Sequence, residues 1–187
     1  MVFPFRDLIK GTQHYDNTQT ALTDAKSACT AAGYRMWLPV VLWRGGESDA
    51  TNVNYEPEMV THHGNFNTDS KAITGQSSDI WMIMAAPSSF IDGNNKAVLA
   101  MLALHRNQPT KFVLSHPSYH LDYDIYTPLN SSDNDYVHLS VKGQQIDGEY
   151  FYRAFRKTVY GKTLGPIDAD RQWCACGRDH HNPDDNP

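Results

Sequence analysis

Ile80-Trp81-Met82-Ile83-Met84-Ala85 is an unbroken apolar run with stretches of helical period on both sides. Such a run, short and without polar alternation, marks a strand covered on both faces, as strands of a parallel sheet are. Upstream, residues 55–74 read as a helix. Pro57 is tolerated in its first turn, while Gly64 and the polar stretch from Asn65 to Asp69 interrupt its apolar pattern. Downstream, residues 94–106 read as a second helix, with Asp92 as the expected cap and Asn107-Gln108-Pro109 as its end. Two more short strands frame this unit. Leu38-Pro39-Val40-Val41-Leu42-Trp43 is expected to be buried on both faces, with Pro39 at its start because a central strand needs every N–H. Lys111 to Leu114 supplies the third strand.

The outer segments complete the alternation. Residues 16–32 carry Ala21, Leu22, Ala25, Ala28, Cys29 and Ala32 at helical spacing, which predicts a core-facing helix. Asp16 and Gln19 fit a capping box at its start, and Gly33 fits its stop. Residues 142–160 form the last helix, with Ile146, Tyr150, Phe151, Ala154, Phe155 and Thr158 on one apolar stripe. Residues 115–137 read as a long polar loop. Alternation of this kind gives an α/β fold with a mostly parallel sheet and helices on both faces. One domain is expected over residues 1–162, followed by an irregular tail over residues 163–187.

A formal charge of -5 and a pI near 5.9 give no reason to expect a nucleic-acid partner. No apolar stretch approaches the roughly 20 residues of a membrane span, and the first residues lack the pattern of a signal peptide. The expected setting is soluble, either cytoplasmic or particle-borne as in a virion. Cys29 reads as a small buried hydrophobe, and Cys174 and Cys176 are too close for easy mutual bridging, which fits a reducing compartment.

Two segments carry chemistry. Trp43-Arg44-Gly45-Gly46-Glu47-Ser48-Asp49 follows a strand, and Asp135-Tyr136-Val137-His138-Leu139 opens the last helix. Open α/β sheets build their sites at such handovers. Asp135 is spaced to accept from one nitrogen of His138, leaving the other as a general base. The plainer reading of the pair is a polar loop and a helix-capping residue. His116, His120, Asp122 and Asp124 are ligand types, but Pro117 and the lack of a second spaced pair argue against a closed site. His62-His63 and the Cys174, Cys176, His180, His181 group match no finger spacing, so neither metal nor cofactor is expected. Tyr119, Tyr123 and Tyr126 could stack on sugar rings or pack beneath the long loop.

Trp43 to Asp49 resembles the Trp-x-Gln/His-Gly-Glu-Ser-Asp block of SGNH (GDSL-type) hydrolases, in the branch of the sialate O-acetylesterases and carbohydrate-esterase family six. Leu8 to Tyr15 resembles the Leu-x-Lys-Gly-Thr-x-x-Tyr stretch preceding that block, and Asp135 to Ser140 with Gly143 and Gly148 to Phe151 resembles the final Asp-x-x-His block. Together these span Leu8 to Phe155 in the family's order. The resemblance implies a three-layer flavodoxin-like sandwich and a carbohydrate O-acetyl esterase of serine type. His138 would be the base and Asp135 its partner. Glu47 and Asp49 would shape the loop, and the position before Gly46 would hold an oxyanion donor.

Two departures qualify that expectation. Gly45 stands where the donor side chain should be, and losing one such donor costs roughly 100- to 1,000-fold in rate. The family's nucleophile turn and second-block glycine have no counterpart here, so the copy reads as N-terminally incomplete. A partner chain or an upstream segment would then complete the site on an acylated carbohydrate. Gly75-Gln76-Ser77-Ser78 spells a nucleophile-like motif, but it leads from helix into strand, the wrong direction for a nucleophile turn, so Ser77 is a poor candidate. The alternative is a degenerate, non-catalytic domain serving as a glycan-binding or structural module, for example of a phage adsorption apparatus.

Overall fold

The computed structural model describes residues 5–87, 95–122 and 139–162. Strands β1 (Val40–Arg44), β2 (Trp81–Ala86) and β3 (Phe112–Pro117) form a parallel sheet with β2 in the middle. Helices α1 (Gln13–Ala31), α2 (Tyr55–Thr74), α3 (Lys96–Asn107) and α4 (Val141–Tyr160) complete the alternation. This is a small α/β fold. Among the described residues no helix is long and apolar enough to cross a membrane.

Alternation along each strand divides the core between two faces. Val41 and Trp43 of β1, Met82, Met84 and Ala86 of β2, and Phe112 and Leu114 of β3 pack against α2 and α3 through Tyr55, Met59, Ala97, Met101 and Leu104. Phe5 joins that cluster, its ring 5.4 Å from Tyr55 and 5.6 Å from Trp43. Val40, Ile83, Ala85 and Val113 face the other way, onto Phe151, Ala154 and Phe155 of α4. Successive parallel crossovers of one hand, advancing in one direction, put α2 and α3 on the same face. α4 follows the last strand and closes the opposite face.

Several expectations need correction. The first helix starts at Gln13, and its cap is Thr12, whose hydroxyl accepts from the Tyr15 N–H; Asp16 lies inside the first turn. Its alanine stripe is not core: Tyr15 is the one buried residue of α1, and Cys29 is partly exposed. β1 is not covered on both faces, because Leu42 is 52% exposed where α4 does not reach. α3 is capped by Asn95, whose side chain accepts from Val98 N–H, while Asp92 lies outside the described residues. β3 runs on to Pro117 and a 3-10 turn follows at Ser118–His120, so the expected loop is shorter at its start. The polar stretch inside α2 has a tertiary use: Asn67 accepts from Ile80 N–H and donates to Asp79, fixing the entry to β2. The tail over residues 163–187 lies outside the described residues.

The adjacent His62 and His63 diverge from α2 as neighbours on a helix must. His63 Nε2 donates to Ile80 O at 2.8 Å. His62 sits among Phe5, Tyr15, Trp43 and Phe66, and its Nδ1 has no hydrogen-bond partner among the described residues. Burial, helped by the neighbouring His63, lowers its pKa to about 4. A native imidazole held neutral favours the fold above the ordinary value of 6.5, and that advantage is lost as pH falls from there through about 4. The gap corresponds to roughly 3 kcal/mol. Urea unfolding at about pH 7 and about pH 4 should show that loss in the wild type. His62→Phe should remove most of it, and an equal loss in both proteins would contradict this account.

Candidate functional site

The C-terminal edge of the sheet gathers the polar residues. In the strand register Arg44 of β1 lies beside Ala85 of β2, which lies beside His116 of β3. A register shift in β3 between the partners of Met84 and Ala85 makes Ser115 an extra residue, a bulge. Because of it Ser115 and His116 both turn toward α4 instead of alternating. Above the small side chain of Ala85 sits Asp147, one-third of the way along α4 and buried. Its Oδ2 is 3.0 Å from Arg44 Nη1 and its Oδ1 is 2.8 Å from His116 Nε2. His116 Nδ1 in turn meets Ser115 Oγ at 3.0 Å.

These contacts form one chain of polar groups, Ser115–His116–Asp147–Arg44. Tyr150 stacks on the His116 ring at 4.6 Å and Phe151 meets its edge at 5.5 Å, so the imidazole cannot rotate away. His116 is almost fully buried. A groove of about 530 Å³ opens between β3 and α4, with Trp81, Val113, Ser115, Tyr150, Arg153 and Lys157 in its wall. Ser115 thus stands between a buried histidine and an open groove.

The loop from Gly45 to Asp49 leaves the same edge of the sheet. Gly46 has φ +112, and a Cβ there would lie 3.0 Å from Ala97 Cβ and 3.2 Å from the Tyr55 hydroxyl. Only glycine allows both that backbone and that approach. Asp49, in the 3-10 turn Glu47–Asp49, is buried and accepts from the Phe5 N–H at 2.9 Å, which fastens the N-terminal segment to the loop. Glu47 is half-buried beside it. Gly45 is different: the nearest atom to a Cβ there is Trp43 Nε1 at 3.9 Å, so a side chain has room. Trp43 donates from that nitrogen to the Tyr55 hydroxyl, whose pKa burial pushes up.

Asp135 and His138 lie outside the described residues, as do Asp124, Tyr123, Tyr126 and the Cys174–His181 group. The next residues, Leu139 and Ser140, enter α4, where Ser140 Oγ accepts from Gly143 N–H. Asp147 lies six residues after Val141, hence roughly 9 Å along the axis, and touches both strand ends, so α4 starts at the edge that carries Gly45 and Gly46. Ser77 is exposed in the segment between α2 and β2, at the opposite edge. Gly75 there caps α2 at φ +74.

Of the four residues read as a possible metal cluster, the three that are described each have a partner. His116 gives Nε2 to Asp147, His120 gives Nε2 to the Tyr150 hydroxyl at 3.1 Å, and Asp122 accepts from Ser140 Oγ. Among the described residues no group of three ligand types is placed to hold a metal ion. Tyr119 is 61% exposed.

Sequence reading missed Ser115 and Asp147 as partners of His116, and Arg44 as the second partner of Asp147. One signal was present: Asp147 falls on the apolar stripe of α4, in step with Tyr150, Phe151, Ala154 and Phe155, and a carboxylate at such a position must be paired. No family model, curated protein or solved structure matches the chain.

The two glycines give a sharp contrast in tolerance. Gly46→Ala should cost roughly 2 kcal/mol and lower the melting temperature by about 5 °C. Gly45→Ala should change stability by less than about 0.5 kcal/mol. Equal melting temperatures for the two variants would contradict the close approach at Gly46.

Proposed function

We propose that the chain carries the acid–base half of a serine-type esterase that removes O-acetyl groups from acylated carbohydrate, on a three-layer flavodoxin-like sandwich of the SGNH kind. The observation that carries this reading is the convergence of two segments on one edge of the parallel sheet. The loop Gly45–Asp49 leaves that edge, and α4, which Asp135 and His138 precede in the sequence by a few residues, begins there. Crevices outside the carboxyl ends of parallel strands are where such sheets bind and act.

In this reading His138 takes the proton of the attacking serine and returns it to the leaving alcohol, while Asp135 stabilises the imidazolium between those steps. The serine of that dyad is not evident in this chain, so the reading requires a nucleophile supplied from elsewhere. Gly45 contributes no side-chain donor to the oxyanion, which lowers the expected rate. The same observation favours a second reading, a non-catalytic glycan-binding or structural module descended from an esterase.

Acetate release from an aryl acetate and from an O-acetylated sugar tests both. Where the serine is supplied and release occurs, His138→Ala should reduce it by roughly 100-fold or more, while Ser77→Ala and a chelator should leave it unchanged. Gly45→Gln, for which there is space, should raise it by roughly 10- to 100-fold. Release that survives His138→Ala when Ser115 is also replaced by Ala overturns the dyad, and release lost in Ser77→Ala makes that serine the nucleophile. Absence of release in every variant, with retained binding of the deacetylated glycan, favours the second reading.

A further inference from the structure

We infer that Ser115, His116 and Asp147 form a separate nucleophilic relay, which serves the groove between β3 and α4 and cleaves small esters bearing an anionic group. The inference rests on three observations that do not involve Asp135 or His138. The first is the order of hydrogen bonds. Asp147 Oδ1 at 2.8 Å can only accept from His116 Nε2–H, so in the neutral imidazole Nδ1 carries the lone pair. That lone pair faces Ser115 Oγ at 3.0 Å and accepts its proton. A hydroxyl, a neutral imidazole and an ionised carboxylate in that order make an activated nucleophile, here with the two ring nitrogens in exchanged roles.

The second observation is the bulge. Without the extra residue opposite Met84 and Ala85, Ser115 and His116 would point to opposite faces of the sheet and could not bond. Bulges re-aim side chains in this way, often beside active sites. The third is access. Ser115 lines a groove of about 530 Å³, a size suited to a small molecule. Trp81 and Val113 give that groove an apolar wall, and Arg153 and Lys157 give it positive charge. Glu149 shares the Arg153 charge through a contact of 2.9 Å, which leaves Lys157 the less neutralised of the two.

The reaction balances within these groups and water. Ser115 Oγ bonds to the ester carbonyl carbon as its proton passes to His116 Nδ1. Collapse of the tetrahedral adduct breaks the carbon–oxygen bond, and the alcohol leaves with that proton. Water, deprotonated by the same nitrogen, then attacks acyl-Ser115, releasing the carboxylic acid and restoring the hydroxyl. His116 is the general base. Asp147 is a positioning residue that holds the imidazole in the required tautomer, and Arg44 holds Asp147.

A fluorophosphonate probe tests the relay, since it phosphonylates only activated serines. Peptide mapping should find the adduct on Ser115, and Ser115→Ala, a change at a partly exposed position, should abolish it with the circular dichroism melt preserved. His116→Gln and Asp147→Asn should slow labelling by roughly 100-fold. Labelling by the wild type should rise with pH and level off, and that dependence should vanish in His116→Gln. If either of those variants fails to fold, Ser115→Cys provides the second readout: it should add a thiol that iodoacetamide alkylates faster than any in the wild type. An adduct on another serine, no adduct on the folded wild type, or a slow thiol in Ser115→Cys overturns the relay. Acetate release that needs His138, with no adduct on Ser115, would spare the proposed esterase while the relay falls. Labelling at Ser115 together with acetate release that ignores His138→Ala would spare the relay while the esterase dyad falls.

Discussion

The carboxylate of Asp147 joins parts of the fold that the backbone alone leaves separate. β1 and β3 do not pair, since β2 lies between them. Asp147 nevertheless reaches the end of each, 3.0 Å from Arg44 and 2.8 Å from His116. The bridge passes over Ala85, and a larger side chain there would occupy the space where the two strand-end groups meet the helix. A small residue in the middle of the row is therefore as much a condition of the bridge as the charges are.

Such a bridge sets position more than it adds stability. A charge taken from water costs several kcal/mol, and pairing returns that cost only when the geometry is good and the remaining lone pairs are used. Here both oxygens of Asp147 are used. The apolar contact of α4 is modest, with Phe151, Ala154 and Phe155 on one narrow part of the sheet, and Leu42 of β1 stays exposed beside it. Apolar packing alone would let α4 slide or rotate on so small a contact. The directional contacts of Asp147 fix its rotation, and with it the side chains that face the groove.

The central elements were legible because their local and tertiary demands agree. β2 has apolar residues for both faces, and α2 matches its expected bounds of Tyr55–Thr74 even though its polar patch breaks the apolar pattern. The misses share a physical cause. Small or apolar residues imply burial in a sequence pattern, but no described element fully covers the α1 alanines, Cys29 or Leu42. Helical period reports which residues share a face, not whether that face meets a partner. Caps were displaced by a few residues because several candidates stood close together, Thr12 and Asp16 at one helix and Asp92 and Asn95 at another. The site was harder still. The strand-end position of Gly45 to Asp49 could be read from order alone, while a bulge at Ser115 leaves no trace in hydrophobic pattern and appears only when two strands are set side by side.

Once the bulge is present, the rest of the Ser115 geometry follows from proton bookkeeping. Arg44 beside Oδ2 keeps Asp147 an acceptor, and an acceptor opposite Nε2 requires the proton there. The neutral ring can then offer only a lone pair to Ser115. An asparagine at position 147 could present its amide nitrogen to the ring and reverse that order, leaving the packing nearly unchanged while turning Nδ1 into a donor. Position and tautomer are thus separable properties of one carboxylate. A purely structural anchor would need only the first. The stacked Tyr150 restricts the ring further, and both Tyr150 and Ser115 line the groove, so the features that hold α4 in place also set the hydroxyl beside that groove.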